Sequence, residues 1–191
     1  MSKKVRALEK GRTVRWTIMI SLWTFFLAAV FALVTRFLIS SITSVLVSFV
    51  ILLFIIFIGI IFDIIGTAVT AAEEKPFHAK ASKKIYGAKK GIYLIRHAEQ
   101  VASFCNDVIG DISGVVSGVI AAVIIVNLTA GHPGADEVFF SILLTGLVSA
   151  LTVGGKALGK SLAINRPTEV VMAISRFLVT LEKIYFWRNK R

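Results

Sequence analysis

An uncharged run from Phe37 to Phe62 limits what this chain can fold into. An apolar run of about 18 or more residues is long enough to cross a lipid bilayer as a helix. The composition agrees, because 56% of the residues are hydrophobic, whereas soluble domains are roughly 45–50% apolar. We therefore expect an integral membrane protein that contains no soluble domain of useful size.

The apolar runs predict an all-α fold with four transmembrane helices per chain. Residues 16–72 are expected to hold two spans, at about 16–38 and 45–71, and residues 101–160 two more, at about 102–126 and 138–158. A Ser-rich turn at residues 40–44 and a Gly/Pro turn at residues 131–134 separate the members of each pair.

Basic residues set the predicted orientation of these spans. Of the 22 Lys and Arg residues, 21 lie in residues 1–15, in residues 73–100 or from Lys156 onward. With four spans, all three groups fall on one side of the membrane. The positive-inside rule then places both termini on the cytoplasmic side of a multi-pass cell-membrane protein. Residues 1–15 form a basic N-terminus, and residues 73–100 are expected to form a cytoplasmic juxtamembrane helix.

The C-terminal segment, residues 161–191, has an amphipathic pattern. Apolar residues recur with a helical period from Val170 to Ile184, and basic residues flank them. This pattern suits a helix that lies on the membrane surface. Packing against residues 73–100 is the other interpretation, and the pattern does not separate the two.

Polar and small side chains share one face in each of three spans. An ionised carboxylate in hydrocarbon is costly and normally marks a functional site, such as an ion path. The faces are formed in the second span by Asp63, Gly66, Thr67 and Thr70, in the third by Asp107, Asp111, Gly114 and Gly118 with the adjacent stripe Asn106, Gly110, Ser113 and Ser117, and in the fourth by Thr145, Ser149, Thr152 and Lys156.

These faces predict a cation site. Carboxylate, hydroxyl and amide oxygens are the ligands that hard cations such as Mg²⁺ prefer. The predicted ligands are Asp63, Asp107, Asp111, Asn106, Ser113 and Thr67. A structural alternative stays open, in which Lys156 neutralises the aspartates and the chain is a non-transporting scaffold or partner subunit. A pathway for a monovalent cation is a third alternative.

Other function classes have little support in the sequence. No nucleophile–base pair or phosphate-binding loop is present, so an enzyme is not expected. Cys105 is the only cysteine, which excludes an intramolecular disulfide and a Cys-based metal site. The net charge of +11 is explained by membrane topology rather than by nucleic-acid binding.

Three segments of the chain resemble the transmembrane domain of the CorB/CorC and cyclin M (CNNM) family of magnesium transport proteins. Residues 62–72 are similar to the family's Phe-Ser-x-x-Glu-Thr-Ala-Leu stretch. A basic segment follows, and then a span with Gly110-Asp111, similar to the family's Gly-Asn pair. Residues 155–163 resemble its Gly-Glu-x-x-Pro-Lys segment, and an amphipathic helix comes next. The likeness covers about residues 45–187.

The resemblance implies a homodimer with three spans per subunit and a Mg²⁺ site built from polar side chains and backbone oxygens. We therefore predict transport or binding of a divalent cation, Mg²⁺ or Co²⁺, across the cytoplasmic membrane. Asp63 stands where the family has Ser, and Asp111 where it has Asn. Asp107 occupies a position where a hydroxyl is common. Gly66 and Lys156 each replace a glutamate of the family pattern. The CBS domains that the family often carries are not expected here, nor is regulation through them.

Overall fold

The computed structural model describes residues 3–40, 44–130 and 137–188, and the regular structure in these ranges is helical. The predicted turn at residues 131–134 and most of the Ser-rich turn at residues 40–44 lie outside the described residues. The chain divides into two compact units, Met1–Ser44 and Val45–Arg191. The predicted all-α class is confirmed for the described part of the chain.

Eight α-helices and one π-helical segment follow one another along the described residues. They are α1 (Lys3–Ser40), α2 (Val45–Ala71), α3 (Glu74–Ser82), α4 (Ala88–Arg96), α5 (Ala98–Ala102), the π-helical segment (Ser103–Gly110), α6 (Asp111–Ala130), α7 (Glu137–Asn165) and α8 (Pro167–Arg188). Helix α5, the π-helical segment and α6 form one continuous helical stretch, because no turn interrupts them.

Among the described residues, four helical stretches are long and apolar enough to cross a membrane, so the prediction of four membrane-spanning helices is confirmed by length and composition. The stretches are Thr17–Val34, Val45–Ala71, Ala98–Ala130 and Val138–Asn165. The second has the predicted bounds. The third and fourth extend beyond the predicted residues 102–126 and 138–158. The backbone hydrogen bonds of a helix can continue into polar sequence where the side chains reach water or pack on other helices.

The first unit contains a single described helix, α1. None of its apolar stretch Thr17–Val34 is buried within the structure, and large side chains such as Trp23, Phe25 and Leu33 are exposed. A helix that is apolar on all sides suits contact with lipid.

Helix α2 is the central helix of the second unit. It packs against the π-helical segment, α5, α6, α7 and α8. Near the N-terminal end of α2, Leu52 and Ile56 are buried, as are Ile120 and Ile124 of α6. The resulting bundle consists of α2, α7 and the continuous stretch from α5 to α6.

A second apolar core lies at the C-terminal end of α2. It draws residues from α2, α3, α4, α7 and α8, and its buried members are Ala68, Val69, Phe77, Ala88, Leu94, Ala163, Val171 and Met172. Phe77 is fully buried, and its ring lies against Gly91, where an added Cβ would approach the ring to 2.4 Å. The glycine therefore allows α3 and α4 to pack closely.

Residues 73–100 form two main helices and the start of a third, rather than the single helix predicted. Helix α3 ends at Ser82, and α4 begins at Ala88. Between them Lys84 and Gly87 adopt positive φ angles of 55° and 88°. Because this backbone conformation interrupts a right-handed helix and is accessible to glycine, the chain reverses here and brings α4 back against α3.

Charged side chains tie the two short helices and α8 together at the surface. Lys90 forms an ion pair with Glu182, and the Lys183 ammonium lies 4.7 Å from the centre of the Tyr86 ring. Glu74 accepts hydrogen bonds from His78 and Arg96 at 3.0 and 3.3 Å. These bonds, His78 first, hold the pKa of the Glu74 carboxyl below its ordinary value.

Helix α8 presents two different apolar faces. Val171, Met172 and Ser175 are buried where α8 packs on α4 and α2. Phe177 and Ile184 lie on another face and are exposed, as is Leu181 between them. Packing against residues 73–100 therefore accounts for one face of the amphipathic helix and leaves the other uncovered within the described structure.

Candidate functional site

Two glycines bring α2 into close contact with the helix that contains the predicted aspartates. A Cβ added at Gly59 would lie 2.9 Å from Ser113 Cβ, and one added at Gly66 would lie 2.2 Å from Asn106 Oδ1. The residue numbers rise on one helix as they fall on the other, so the two helices are antiparallel. The stripe Gly59–Asp63–Gly66 of α2 thus faces the stripe that runs from Asn106 to Ser113.

Asp63 lies on this inward face between the two glycines and is only 4% exposed. Its Oδ2 atom is buried without a hydrogen-bond partner among the described residues. Its Oδ1 atom lies 3.9 Å from Lys156 Nζ of α7. A buried carboxylate is stable only when a charge or hydrogen bonds compensate for its lost hydration, and Lys156 supplies that charge here.

Helix α7 comes close enough to place Lys156 there because it contacts α2 through glycines. A Cβ added at Gly155 would lie 2.3 Å from Ile60, and one added at Gly159 would lie 2.6 Å from Ile64. Small residues let helix backbones approach closely in membrane proteins. The Lys156 side chain remains 24% exposed, and its Nζ atom lies 3.5 Å from a Cβ built at Gly110.

The helix opposite Asp63 is locally π-helical. The segment Ser103–Gly110 has this conformation and includes Asn106, Asp107 and Gly110. Asn106 Oδ1 is buried and has no hydrogen-bond partner in the described part of the chain. π-Helical turns are rare and occur frequently at functional sites, and this one places an amide oxygen near α2.

The structure does not gather the predicted ligands into one group. Asp63 and Ser113 are buried, Asn106 and Thr67 are half-buried, and Asp107 and Asp111 are exposed. Within the described residues, no three acidic, histidine or cysteine side chains lie together in an arrangement that could hold a metal ion. The expectation that three aspartates share one pocket is therefore not met within the described chain, because the stripe containing Asp107 and Asp111 does not face α2.

The outward position of that stripe is also visible in its glycines. A Cβ added at Gly114 or Gly118 would have no neighbouring atom within 4 Å in the described structure. The adjacent stripe, from Asn106 to Ser117, is the one that packs inward. The sequence predicted both stripes but gave no reason to prefer the second.

Several hydroxyl groups on the predicted polar faces are used within their own helices. The hydroxyl of Ser117 donates a hydrogen bond to the Ser113 carbonyl at 2.7 Å. The hydroxyls of Thr70 and Thr152 donate to the carbonyls of Thr67 and Val148, each at 2.8 Å. Such bonds satisfy the hydroxyls locally, so these groups support helix packing more directly than they support ion binding.

The resulting site consists of the Asp63 carboxylate with the Lys156 ammonium group beside it, and the Asn106 amide oxygen lies against Gly66, about one turn further along α2. The sequence analysis included Lys156 as a residue that could neutralise the aspartates, without assigning it to one of them, and it left Gly59 out. Extending the Asp63–Gly66 stripe by one turn toward the N-terminus would have included Gly59, since it precedes Asp63 by four residues. The position of Lys156 Nζ had no comparable signal, because it depends on how α7 packs on α2.

Neither the family models nor the curated proteins nor the solved structures include a match to this chain. The resemblance to the CorB/CorC and cyclin M family therefore depends on the three sequence segments alone.

Proposed function

We propose that this chain is a non-transporting membrane scaffold or partner subunit in which Lys156 neutralises the intramembrane carboxylate of Asp63. The observation that supports this function is the 3.9 Å separation of Lys156 Nζ from Asp63 Oδ1, at a carboxylate that is 4% exposed. The lysine is part of the chain, so the negative charge is compensated without any bound ion. The proposal includes no catalytic activity.

Electrostatic repulsion by Lys156 favours the scaffold function over a divalent-ion site. A metal ion coordinated by Asp63 would lie within a few ångströms of the Lys156 ammonium. Two like unit charges 4 Å apart repel by about 4 kcal/mol at an effective dielectric constant near 20, and a divalent ion doubles that value. A single carboxylate and an amide oxygen offer Mg²⁺ little to offset such repulsion.

The place of Asp63 along α2 also supports a structural role. At about 1.5 Å per residue, Asp63 lies about 27 Å from Val45 at the start of the helix. The hydrocarbon core of a bilayer is about 30 Å thick. The pair would then lie close to one edge of the membrane, whereas substrate sites of many transporters lie near the midplane.

A test of this function is Mg²⁺ binding and uptake by the purified wild-type chain. We expect calorimetry to give only the heat of dilution, and proteoliposomes containing the chain to take up no more Mg²⁺ than empty liposomes, because Lys156 already compensates Asp63. Asp111→Ala should give the same result as the wild type. Saturable binding or uptake that is lost in Asp63→Asn would contradict the scaffold function.

Transport or binding of a divalent cation, Mg²⁺ or Co²⁺, is the second candidate. It is favoured by the two buried oxygens without partners, Asp63 Oδ2 and Asn106 Oδ1, since oxygen acceptors of this kind suit a hard cation. Under this function the ligands would be those predicted from the sequence, with Asp107 and Asp111 completed by a second subunit. The calorimetry and uptake measurements separate this candidate from the first.

Both candidate functions include the formation of a homodimer or of a complex with another membrane protein. The supporting observation is the exposed stripe of Asp107, Asp111, Gly114 and Gly118 on a helix long enough to span the membrane. Carboxylates on a spanning helix normally face a protein interior or a water-filled cavity. A second subunit against this stripe would provide such surroundings and would benefit from the close approach that glycines allow.

We further propose that both termini are cytoplasmic and that the exposed face of α8 rests on the inner surface of the cell membrane. Support comes from the one-sided distribution of Lys and Arg and from the exposed apolar side chains of Phe177, Leu181 and Ile184. Apolar faces flanked by basic residues bind at the boundary between headgroups and acyl chains.

Cysteine labelling tests this arrangement. In a Cys105→Ala background, Leu181→Cys is expected to react more slowly with a membrane-impermeant maleimide than Arg176→Cys in inside-out vesicles, because the bilayer covers position 181. The two should react equally in detergent. Labelling of either position from outside intact cells would overturn the topology, and equal rates in vesicles would remove α8 from the membrane surface.

A further inference from the structure

Two buried oxygen atoms, one on α2 and one on the π-helical segment that packs against it, have no hydrogen-bond partner among the described residues. Asp63 Oδ2 and Asn106 Oδ1 are both buried, and neither accepts a hydrogen bond from a described residue. Buried polar atoms are nearly always paired, so each exception requires an explanation. Both atoms are acceptors only, so the group that would satisfy them is a donor or a cation.

The Lys156 ammonium is the nearby group with the right chemistry. It carries three N–H donors and a single positive charge. Its Nζ atom lies 3.9 Å from Asp63 Oδ1, which is beyond the usual hydrogen-bond distance of about 2.7–3.2 Å. The ammonium group is therefore close enough to compensate the charge of the carboxylate, but it donates no hydrogen bond to Asp63 Oδ2.

We infer that Asp63 and Asn106 form a receptor for one monovalent cation, and that the ammonium of Lys156 serves as its built-in occupant. Without that side chain, the site would bind a free primary alkylammonium ion, or an alkali metal ion such as Na⁺. This inference rests on the proposed function, because it assumes that Lys156 neutralises Asp63.

Charge matching explains why the receptor suits a monovalent ion. Asp63 contributes one negative charge and Asn106 contributes a neutral amide oxygen. Asp107 and Asp111, which could raise the negative charge, are exposed on the other stripe. A single positive charge neutralises the site, whereas a divalent ion would leave it with excess positive charge in a poorly hydrated environment.

The packing of α7 holds the ammonium group at this place. Gly155 and Gly159 on either side of Lys156 lie against Ile60 and Ile64 of α2. These contacts hold the Lys156 backbone beside the turn of α2 that contains Asp63, and they place Lys156 Nζ 3.9 Å from Asp63 Oδ1. The ammonium is thus tethered at high effective concentration, which is why a free ion does not displace it.

Chemical rescue tests the inference on the purified chain. Lys156→Ala is expected to lower the midpoint of thermal unfolding by roughly 5 °C or more, because it leaves a buried charge uncompensated. Ethylammonium chloride should raise that midpoint toward the wild-type value, and NaCl should raise it in part. Tetramethylammonium chloride at the same ionic strength should not, because it is bulky and has no N–H donors. Mg²⁺ should stabilise the variant no more than it stabilises the wild type.

Two control variants define the site. Lys160→Ala removes an exposed lysine one turn further along the same helix, and its unfolding midpoint should not respond to ethylammonium beyond the wild-type response. Lys156→Ala combined with Asp63→Asn should also lose the response, because the charge of the receptor is gone. A response that survives Asp63→Asn would overturn the inference.

Other outcomes of these measurements test the cation receptor and the scaffold function separately. Equal midpoints in ethylammonium and tetramethylammonium would show that no cation receptor exists, even if the wild type fails to bind Mg²⁺ and the scaffold function stands. Saturable Mg²⁺ binding by the wild type would instead remove the proposed function. If Lys156→Ala does not accumulate in a folded form, the yield of folded protein after solubilisation in ethylammonium or tetramethylammonium chloride is measured instead of the unfolding midpoint. Equal yields in the two salts would overturn the inference.

Discussion

Replacing Phe77 by alanine is expected to destabilise the second unit by about 3–5 kcal/mol, the usual cost of removing a large aromatic side chain from a packed core. Phe77 is fully buried in the core that joins the ends of α2 and α7 to α3, α4 and α8. Its ring also fills the space against Gly91. Few neighbours can collapse into the resulting cavity, because helices from five parts of the chain meet there.

Hydrogen exchange measured by mass spectrometry would locate the effect. The amides of α3, α4 and α8 should lose protection in Phe77→Ala, while those near Ile120 and Ile124 in α6 should change little, because local unfolding follows the packed units of a structure. Phe177→Ala is the matched control. Phe177 is 63% exposed on α8, so its truncation should change stability by no more than about 0.5 kcal/mol. Equal losses in both variants would contradict the packing described for this core.

Replacing Gly59 by valine is expected to destabilise the bundle by about 1–3 kcal/mol, as overpacking of a well-packed interface usually does. The added Cβ would lie 2.9 Å from Ser113 Cβ. That atom is attached directly to the backbone, so it cannot rotate away and the two helices must separate. Separation would also loosen the surroundings of Asp63, which lies one turn further along α2.

Gly114→Val is the control for this substitution. Gly114 lies on the same helix as Ser113, but an added Cβ has no neighbour within 4 Å in the described structure. On monomeric protein in detergent, where no second subunit covers the exposed stripe, the midpoint of thermal unfolding should fall for Gly59→Val and stay near the wild-type value for Gly114→Val. Light scattering on Gly114→Val would in addition test the homodimer, because a valine on the exposed stripe should weaken an interface formed there. A larger loss of stability in Gly114→Val than in Gly59→Val would reverse the assignment of the inward stripe.

Much of the architecture followed from local properties of the sequence. The span Val45–Ala71 has the bounds predicted for it, because a long apolar run in which Asp63 is the only charged residue is sufficient to predict a candidate membrane helix. The segment 73–100 was predicted less well. A single juxtamembrane helix was predicted there, but the reversal at Lys84 and Gly87 depends on two positive φ angles that composition does not specify.

The candidate site was predicted in part. Asp63 and Asn106 were recognised, and the structure brings their helices together through Gly66. Asp107 and Asp111 were given equal weight, yet they are exposed. Two adjacent stripes of one helix carry nearly the same polar and small residues, so periodicity alone does not decide which of them turns toward α2.

The sequence by itself determined that the described part of the chain is all-helical and has four candidate membrane spans, since long apolar runs are evident from the order of the residues alone. Tertiary structure alone decided that the stripe from Asn106 to Ser113 faces α2 and that Lys156 lies beside Asp63. Those facts depend on how closely helix backbones approach at glycines and on a local π-helical turn, and both arise only when separate helices pack together.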